Sequence, residues 1–544
     1  MKHIKKVITL LLAAVMVLAM SASVFADEPT TKTITLTGGK AGHTYTLYQI
    51  FTGTVKDGEL TNIQWGSDVT DAKKAEGTAA AEAKRIATAD DARATAQEYV
   101  ANSWLKASDK KVVLTDDGDV EFEGLAEGYY MIVDTNGNTT PVEGDYSSAY
   151  IVKVVENVTG AIKGSGSTSD KKVIDPETGS ASTTDAAAYN IGDDVPFQLT
   201  ATTADNVAAY KKYHITFHDT QSEGLDDPTS FTVTVLGKTF TVPATGDDPA
   251  SQTTDNGTKI TVTKVTPASG ESFAIKVEFE PTAEDAVYLD SECNSKVITV
   301  DYTAKLNNDA EIGLPGNNNK SNITFSNNPE STDGHEEGKT PEDTTIVFTF
   351  KTVIDKVDQS GNALTGAGFT LYQVATATTP NAVLGSTLTF ADGVKHDDID
   401  ADTYYVVRGM TTVSGNAAQF QYEGLADGNY VLVETTVPEG YNALASKVFT
   451  ITSTVSEADE TGTIDTLTGT DPFTTTNPGA YGAVEVGTHK LDSGELYAQI
   501  ENQSGAELPS TGGIGTIIFY VLGSLLVVGC GIVLISKRRI NANK

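Results

Sequence analysis

One pair of strand-like segments occurs twice in this 544-residue chain, once near each end. Tyr45-Thr46-Leu47-Tyr48-Gln49-Ile50 returns as Phe369-Thr370-Leu371-Tyr372-Gln373-Val374. Farther on, Phe122-Glu123-Gly124-Leu125-Ala126-Glu127-Gly128-Tyr129-Tyr130 returns as Tyr422-Glu423-Gly424-Leu425-Ala426-Asp427-Gly428-Asn429-Tyr430. Self-similarity of this kind means one structural unit used twice. The alternation of apolar and polar residues between glycine-bearing turns makes that unit β-rich. In the first copy the two segments lie farther apart, and the surplus, roughly Asp68 to Lys106, is rich in Ala, Glu, Lys and Asp. Such residues favour helix, so a helical insertion is expected there. Between the copies lies a different unit, about Ser169 to Asn328, with strand-like runs at Val195–Thr200, His214–Phe217, Phe231–Val235, Lys259–Val265, Phe273–Phe279 and Val297–Leu306. The expected fold is all-β, three β-sandwich domains in tandem. Their expected bounds are 27–163, 164–330 and 345–507, with a linker over 331–344.

Composition narrows what such a chain does. Acidic residues number 73 against 38 basic ones, a formal net charge of −35, so neither nucleic acid nor an anionic surface is an expected partner. The only cysteines are Cys293 and Cys530, and the second lies in the apolar tail, so no disulfide is available to the folded part. The seven histidines show no metal-ligand spacing, and the acidic runs at Asp116–Asp119 and Asp397–Asp400 lack a full calcium loop. No phosphate loop and no nucleophile–histidine set is present. The expectation is a structural protein and not an enzyme, with no metal and no cofactor.

Both ends read as processing signals. Met1 to Lys6 is basic, Val7 to Met20 is largely apolar, and Val24-Phe25-Ala26 offers small-residue cleavage, so residues 1–26 are expected to be a secretory signal peptide. At the other end stand Leu508-Pro509-Ser510-Thr511-Gly512, an uncharged run from Gly513 to Ser536, and Lys537-Arg538-Arg539. As a helix, residues 514–536 are long enough to cross a bilayer, and the basic tail 537–544 holds that end in the cytoplasm. The whole tail, 508–544, resembles the LPXTG cell-wall sorting signal of Gram-positive surface proteins. The resemblance implies that a sortase cuts between Thr511 and Gly512 and joins the Thr511 carboxyl to an amine. The mature protein would then be secreted and wall-anchored, meeting the membrane only before sorting, with peptidoglycan as one partner.

Tyr430-Val431-Leu432-Val433-Glu434-Thr435-Thr436-Val437-Pro438-Glu439-Gly440-Tyr441 resembles the E-box of CnaB-like domains in Gram-positive pilins. Tyr430, Leu432 and Glu434 share one strand face, where a carboxyl is costly unless protonated or paired. Lys356 shares its face with Ile354, and Asn502 with Ile500. The resemblance implies Ig-like sandwiches of CnaA and CnaB type and a self-formed Lys356–Asn502 isopeptide bond promoted by Glu434. The middle unit resembles the isopeptide-forming middle domain of major pilins through Lys171-Lys172-Val173-Ile174-Asp175, Tyr213-His214-Ile215-Thr216-Phe217-His218-Asp219-Thr220 and Asn322-Ile323-Thr324-Phe325-Ser326-Asn327-Asn328-Pro329. That resemblance implies a second bond, Lys171 to Asn327 with Asp219 as the acid. Lys172 and Asn328 stand as alternatives, because a bulge would exchange the faces. In the first domain Asp134 holds the position of the E-box acid, but no lysine–asparagine pair stands out and no bond is expected.

Val154-Val155-Glu156-Asn157-Val158-Thr159-Gly160-Ala161-Ile162-Lys163-Gly164 resembles the pilin motif of backbone subunits. This implies that Lys163 accepts the Thr511 carboxyl of another subunit. The implied function is the backbone of a covalently polymerised surface pilus. Its implied partners are a class C sortase, a housekeeping sortase, other copies of the chain, minor and tip pilins, with a host ligand as a further candidate. The alternatives are a wall-anchored monomeric adhesin or minor pilin, and a surface enzyme on a sandwich scaffold.

Overall fold

A computed structural model describes residues 31–542, apart from 57, 88–91, 138–141, 144–146, 148, 163–165, 177–182, 246–247, 283–287, 330–336, 391–395, 413–416, 474–490 and 506–513. The expected signal peptide, Lys163 and the Leu508–Gly512 motif lie outside the described residues.

The described chain is built from strands that bury every second residue. Asp194–Thr202 is typical: Val195, Phe197, Leu199 and Ala201 are buried while the residues between them are partly open to solvent. Near the N-terminus, Lys32–Gly39 pairs antiparallel with Gly118–Leu125 and parallel with Val158–Ala161. This small sheet packs on a second one made by Glu59–Trp65, His43–Lys56, Gly128–Asn136 and Ala149–Val154, around Ile34, Leu36, Tyr45, Phe122 and Ile132. Helices Asp71–Ala75, Ala79–Ala87 and Ala92–Ala101 occupy the expected insertion. They cover the outer face of the second sheet with a separate apolar cluster that includes Phe51, Tyr99, Met131 and Val133. Strand Gly128–Asn136 is therefore buried on both faces, which is why Met131-Ile132-Val133 is apolar without interruption.

The last sandwich repeats this plan. Phe350–Asp358 lies between antiparallel Gln419–Leu425 and parallel Glu495–Asn502, facing a six-stranded sheet that contains Gly368–Ala375 and Gly428–Thr436. In the middle, a six-stranded sheet opens with Thr168–Ile174 and Asp194–Thr202, and the opposite sheet holds Tyr213–Gln221 beside Asn317–Ser326.

The stretch expected to be a linker contains strands. Glu337–Lys339 pairs with Asn317–Ser326, and Asp343–Phe348 extends the same sheet and pairs with Ala186–Ala188. Val347 and Ala187 point into the middle core, while Ile346, Phe348, Ala186 and Ala188 point into the last one. Period-2 alternation makes this strand a wall common to both sandwiches, and each face buries apolar area. The Gly, Lys, Thr and Pro residues of 331–344 suggested a solvated joint because such residues mark turns, and the stretch shows no apolar alternation of its own.

At the C-terminus Ile514–Ala542 is one helix. The expected span 514–536 falls on it. Among the described residues, however, no helix is long and apolar enough to cross a membrane.

Two buried clusters of lysine, carboxyl and asparagine

Strand Thr168–Ile174 turns Lys171 and Val173 inward and leaves Lys172 half-open, where its amine pairs with Asp185 at 2.5 Å and Asp170 at 3.0 Å. Alternation thus separates the two neighbouring lysines. Lys171 has no exposed surface, and its Nζ donates to Asp219 Oδ2 and, at 3.0 Å, to the Tyr302 hydroxyl. That hydroxyl donates to Asp219 Oδ2 at 3.0 Å and accepts from Asn319 Nδ2 at 2.9 Å. Asp219 and Asn319 are likewise fully buried. Burial pushes the Lys171 amine down and the Asp219 carboxyl up, so both lean toward their neutral forms while their mutual attraction opposes the shift. A buried ion pair costs heavily in desolvation, so it is weak as a stabilising device. It suits a site where a lysine has to lose its proton.

Asn327, expected from the resemblance, is not part of this cluster; the asparagine that stands in it is Asn319. In the antiparallel register Asp219 faces Ser321 and Gln221 faces Asn319, whereas Ile215 faces Phe325. Asn327 comes eight positions after Asn319, roughly 26 Å farther along at strand rise, beyond the reach of Lys171. It sits instead where its carbonyl accepts a bond from the Ser147 amide at 2.9 Å. Asn317, Asn319, Ser321, Ile323 and Phe325 all point inward, as does Asn327, so parity alone could not choose among the asparagines. The signal within the sequence was the inward polar run beginning at Asn317, before the apolar part of the strand starts.

In the last sandwich the parallel register sets Lys356 beside Ile500 and Asp358 beside Asn502. Lys356 is fully buried and its Nζ donates to the Ile500 carbonyl at 2.9 Å. Burial pushes this amine down to about 8, against the pull of the Glu434 and Glu501 charges. Glu434, also fully buried, accepts from Asn502 Nδ2 at 2.8 Å through Oε1 and from the Leu444 amide at 2.8 Å through Oε2. Burial raises its carboxyl above the ordinary glutamate value. Asn502 Nδ2 also reaches the Asn442 carbonyl at 3.1 Å, while its Oδ1 is buried without a hydrogen-bond partner among the described residues. A carbonyl oxygen left so is free to accept a proton or a developing charge.

The first sandwich keeps the acid and changes what surrounds it. Asp134 pairs with Tyr45 across the sheet as Glu434 pairs with Phe369. Its Oδ1 lies 2.6 Å from His43 Nδ1, and both side chains are buried. Where Phe350–Asp358 carries Lys356, the matching stretch of Lys32–Gly39 is the irregular Gly38–Gly39 pair.

Residues 350–470 match the family model of the SpaA prealbumin-like fold domain, and residues 500–542 match the LPXTG cell wall anchor motif. The chain is similar to the trypsin-resistant surface T6 protein of Streptococcus pyogenes serotype M6, 28% identical over 271 residues, or 44% of this chain and 48% of that protein. It thus spans about half the length of the curated relative it matches. Among solved structures, the T6 backbone pilin of that serotype, a modular three-domain protein, superposes with a TM-score of 0.45 at 16% identity, covering 89% of this chain and 100% of that one. The full-length major pilin SpaD of Corynebacterium diphtheriae gives 0.40 at 18% identity, covering 88% and 99%.

Proposed function

We propose that this chain is the backbone subunit of a covalently polymerised, wall-anchored pilus, and that it staples its own middle and last sandwiches with isopeptide bonds. The match of residues 500–542 to a cell wall anchor motif carries the assembly half of this reading. The covalent half rests on Lys171, Asp219 and Asn319 in one sandwich and on Lys356, Glu434 and Asn502 in the other.

In each cluster the chemistry is an amide exchange. A lysine made neutral by burial attacks the side-chain carbonyl carbon of the asparagine, the carboxyl passes protons, and ammonia leaves. The folded strands hold the reactants together, so the step is effectively intramolecular. Each chain reacts once. A sortase supplies the turnover: it cleaves after Thr511 and passes the acyl group to Lys163 of another copy, or to peptidoglycan at the base. The strand ending at Asn502 lies just before Leu508–Gly512, so a pull on Thr511 loads the stapled last sandwich first.

Coexpression with a class C sortase tests the assembly. The wild-type chain is expected to give a ladder of high-mass species on boiled denaturing gels, and Lys163→Ala is expected to collapse it to monomer. A ladder unchanged by Lys163→Ala would remove Lys163 from the joint.

A further inference from the structure

We infer that Tyr302 is a catalytic residue of the middle-domain cross-link, relaying a proton between Asp219 and the departing nitrogen of Asn319. This deepens the reading of that cluster as an isopeptide site and rests on it. The phenol oxygen touches every participant: Lys171 Nζ at 3.0 Å, Asp219 Oδ2 at 3.0 Å and Asn319 Nδ2 at 2.9 Å. None of Asp219's hydrogen bonds goes directly to Asn319. The acid holds the nucleophile and reaches the leaving group only through this phenol. The last sandwich is wired the other way, since Glu434 contacts Asn502 Nδ2 directly at 2.8 Å and Lys356 is held by a main-chain carbonyl.

The step balances. Lys171 gives one proton to Asp219, and its freed lone pair attacks Asn319 Cγ to form a tetrahedral centre. Tyr302 then gives its hydroxyl proton to Nδ2 and takes the Asp219 proton in replacement. Asp219 in turn takes one proton from the attacking nitrogen. The Cγ–Nδ2 bond breaks, leaving one secondary amide, one ammonia and a protonated Asp219. No oxidant, metal or further reactant is required.

The ring is fixed for this role. It stacks on Phe197 at 5.4 Å between centroids and meets Phe273 edge-on at 5.0 Å, with Phe231 at 5.9 Å. These contacts involve ring carbons, so Tyr302→Phe removes the oxygen and leaves the packing. Burial keeps the phenol protonated, as a neutral relay must be.

The test follows the Lys171–Asn319 cross-linked peptide by proteolysis and mass spectrometry, in full chains pulse-labelled in cells without sortase. The Lys356–Asn502 peptide of the same chains is the internal control. Tyr302→Phe is expected to slow the middle cross-link at least about tenfold, with the last one forming at the wild-type rate. Equal rates for the middle cross-link in wild type and Tyr302→Phe would overturn the relay. If the wild-type chain itself yields no Lys171–Asn319 peptide, the isopeptide reading fails first, and Tyr302 falls with it. Should Tyr302→Phe misfold, a difluorotyrosine at position 302 keeps the shape and changes only the acidity. A rate that moves with that acidity supports the relay, and a rate that does not overturns it.

Discussion

The first and last sandwiches are two versions of one unit. In both, a central strand runs between an antiparallel and a parallel neighbour, and within the facing sheet a buried acid pairs with an aromatic residue of the adjacent strand. In the last, the acid is Glu434 and the neighbouring strands bring Lys356 and Asn502 to it. In the first, the acid is Asp134, its partner is His43, and the lysine position has become part of a glycine pair. Shared topology therefore does not carry the chemistry. A buried carboxyl needs a partner in either case. Whether that partner is a reactant or only a hydrogen-bonding group depends on two or three side chains.

The largest expected effect comes from removing the reactant. Lys356→Ala should leave the chain about 17 Da heavier, beyond the mass of the substitution itself, because one ammonia is retained. It should also unfold the last sandwich roughly 10–20 °C lower, since a cross-link closing a loop of more than about 100 residues is worth on the order of 5 kcal/mol. Calorimetry should show the first sandwich unmoved. A matching fall in both transitions would mean that the two domains are not mechanically distinct.

A smaller effect follows from pH. Asn502→Ala blocks the bond and leaves Lys356 titratable. Its folded value of about 8 lies below its ordinary 10.5, so in that window the folded chain binds fewer protons than the unfolded one. Unfolding free energy should then rise as pH climbs from about 8 to about 10.5, by up to about 3 kcal/mol, and stay flat in this respect below 8. The wild-type chain, with Lys356 in an amide, should lack that rise. Denaturant titrations across this range decide it, and identical profiles would show that Lys356 stays unbonded in the wild type.

The smallest effect tests the other side of the comparison. Asp134→Ala should cost the first sandwich about 2 kcal/mol by leaving a buried His43 ring nitrogen without that hydrogen-bond partner. It should change no mass beyond that of the substitution. A covalent change there would mean that the first sandwich also holds a reactive pair.

The E-box could be read in advance because it is contiguous: Glu434 lies two positions beyond Leu432 on a face that must be inward. Lys171 and Asp219 were named through the resemblance of their segments to pilin middle domains, with alternation placing each on an apolar face. Asn319 was missed because several asparagines share its face, and only the pairing of Asn317–Ser326 with Tyr213–Gln221 selects one. Tyr302 looked like an ordinary core aromatic. Its hydroxyl acquires meaning from Lys171 and Asp219, which arrive from strands far away in sequence. The Asp343–Phe348 wall was hidden likewise, since two-sided burial depends on what lies on each side.

By itself, the amino-acid sequence determined the strand content, the repeat of the first unit in the last, the helical insertion and the inward face of Lys171, Lys356, Asp219 and Glu434. These follow from alternation, turn residues and propensity, all of which act within a few residues. Only the tertiary structure decided that Asn319 is the asparagine standing by Lys171 and Asp219, that a phenol joins them, and that His43 is the group beside Asp134. Those outcomes depend on strand register and sheet packing, where a shift of two residues along one strand exchanges one reactant for another without changing any local pattern.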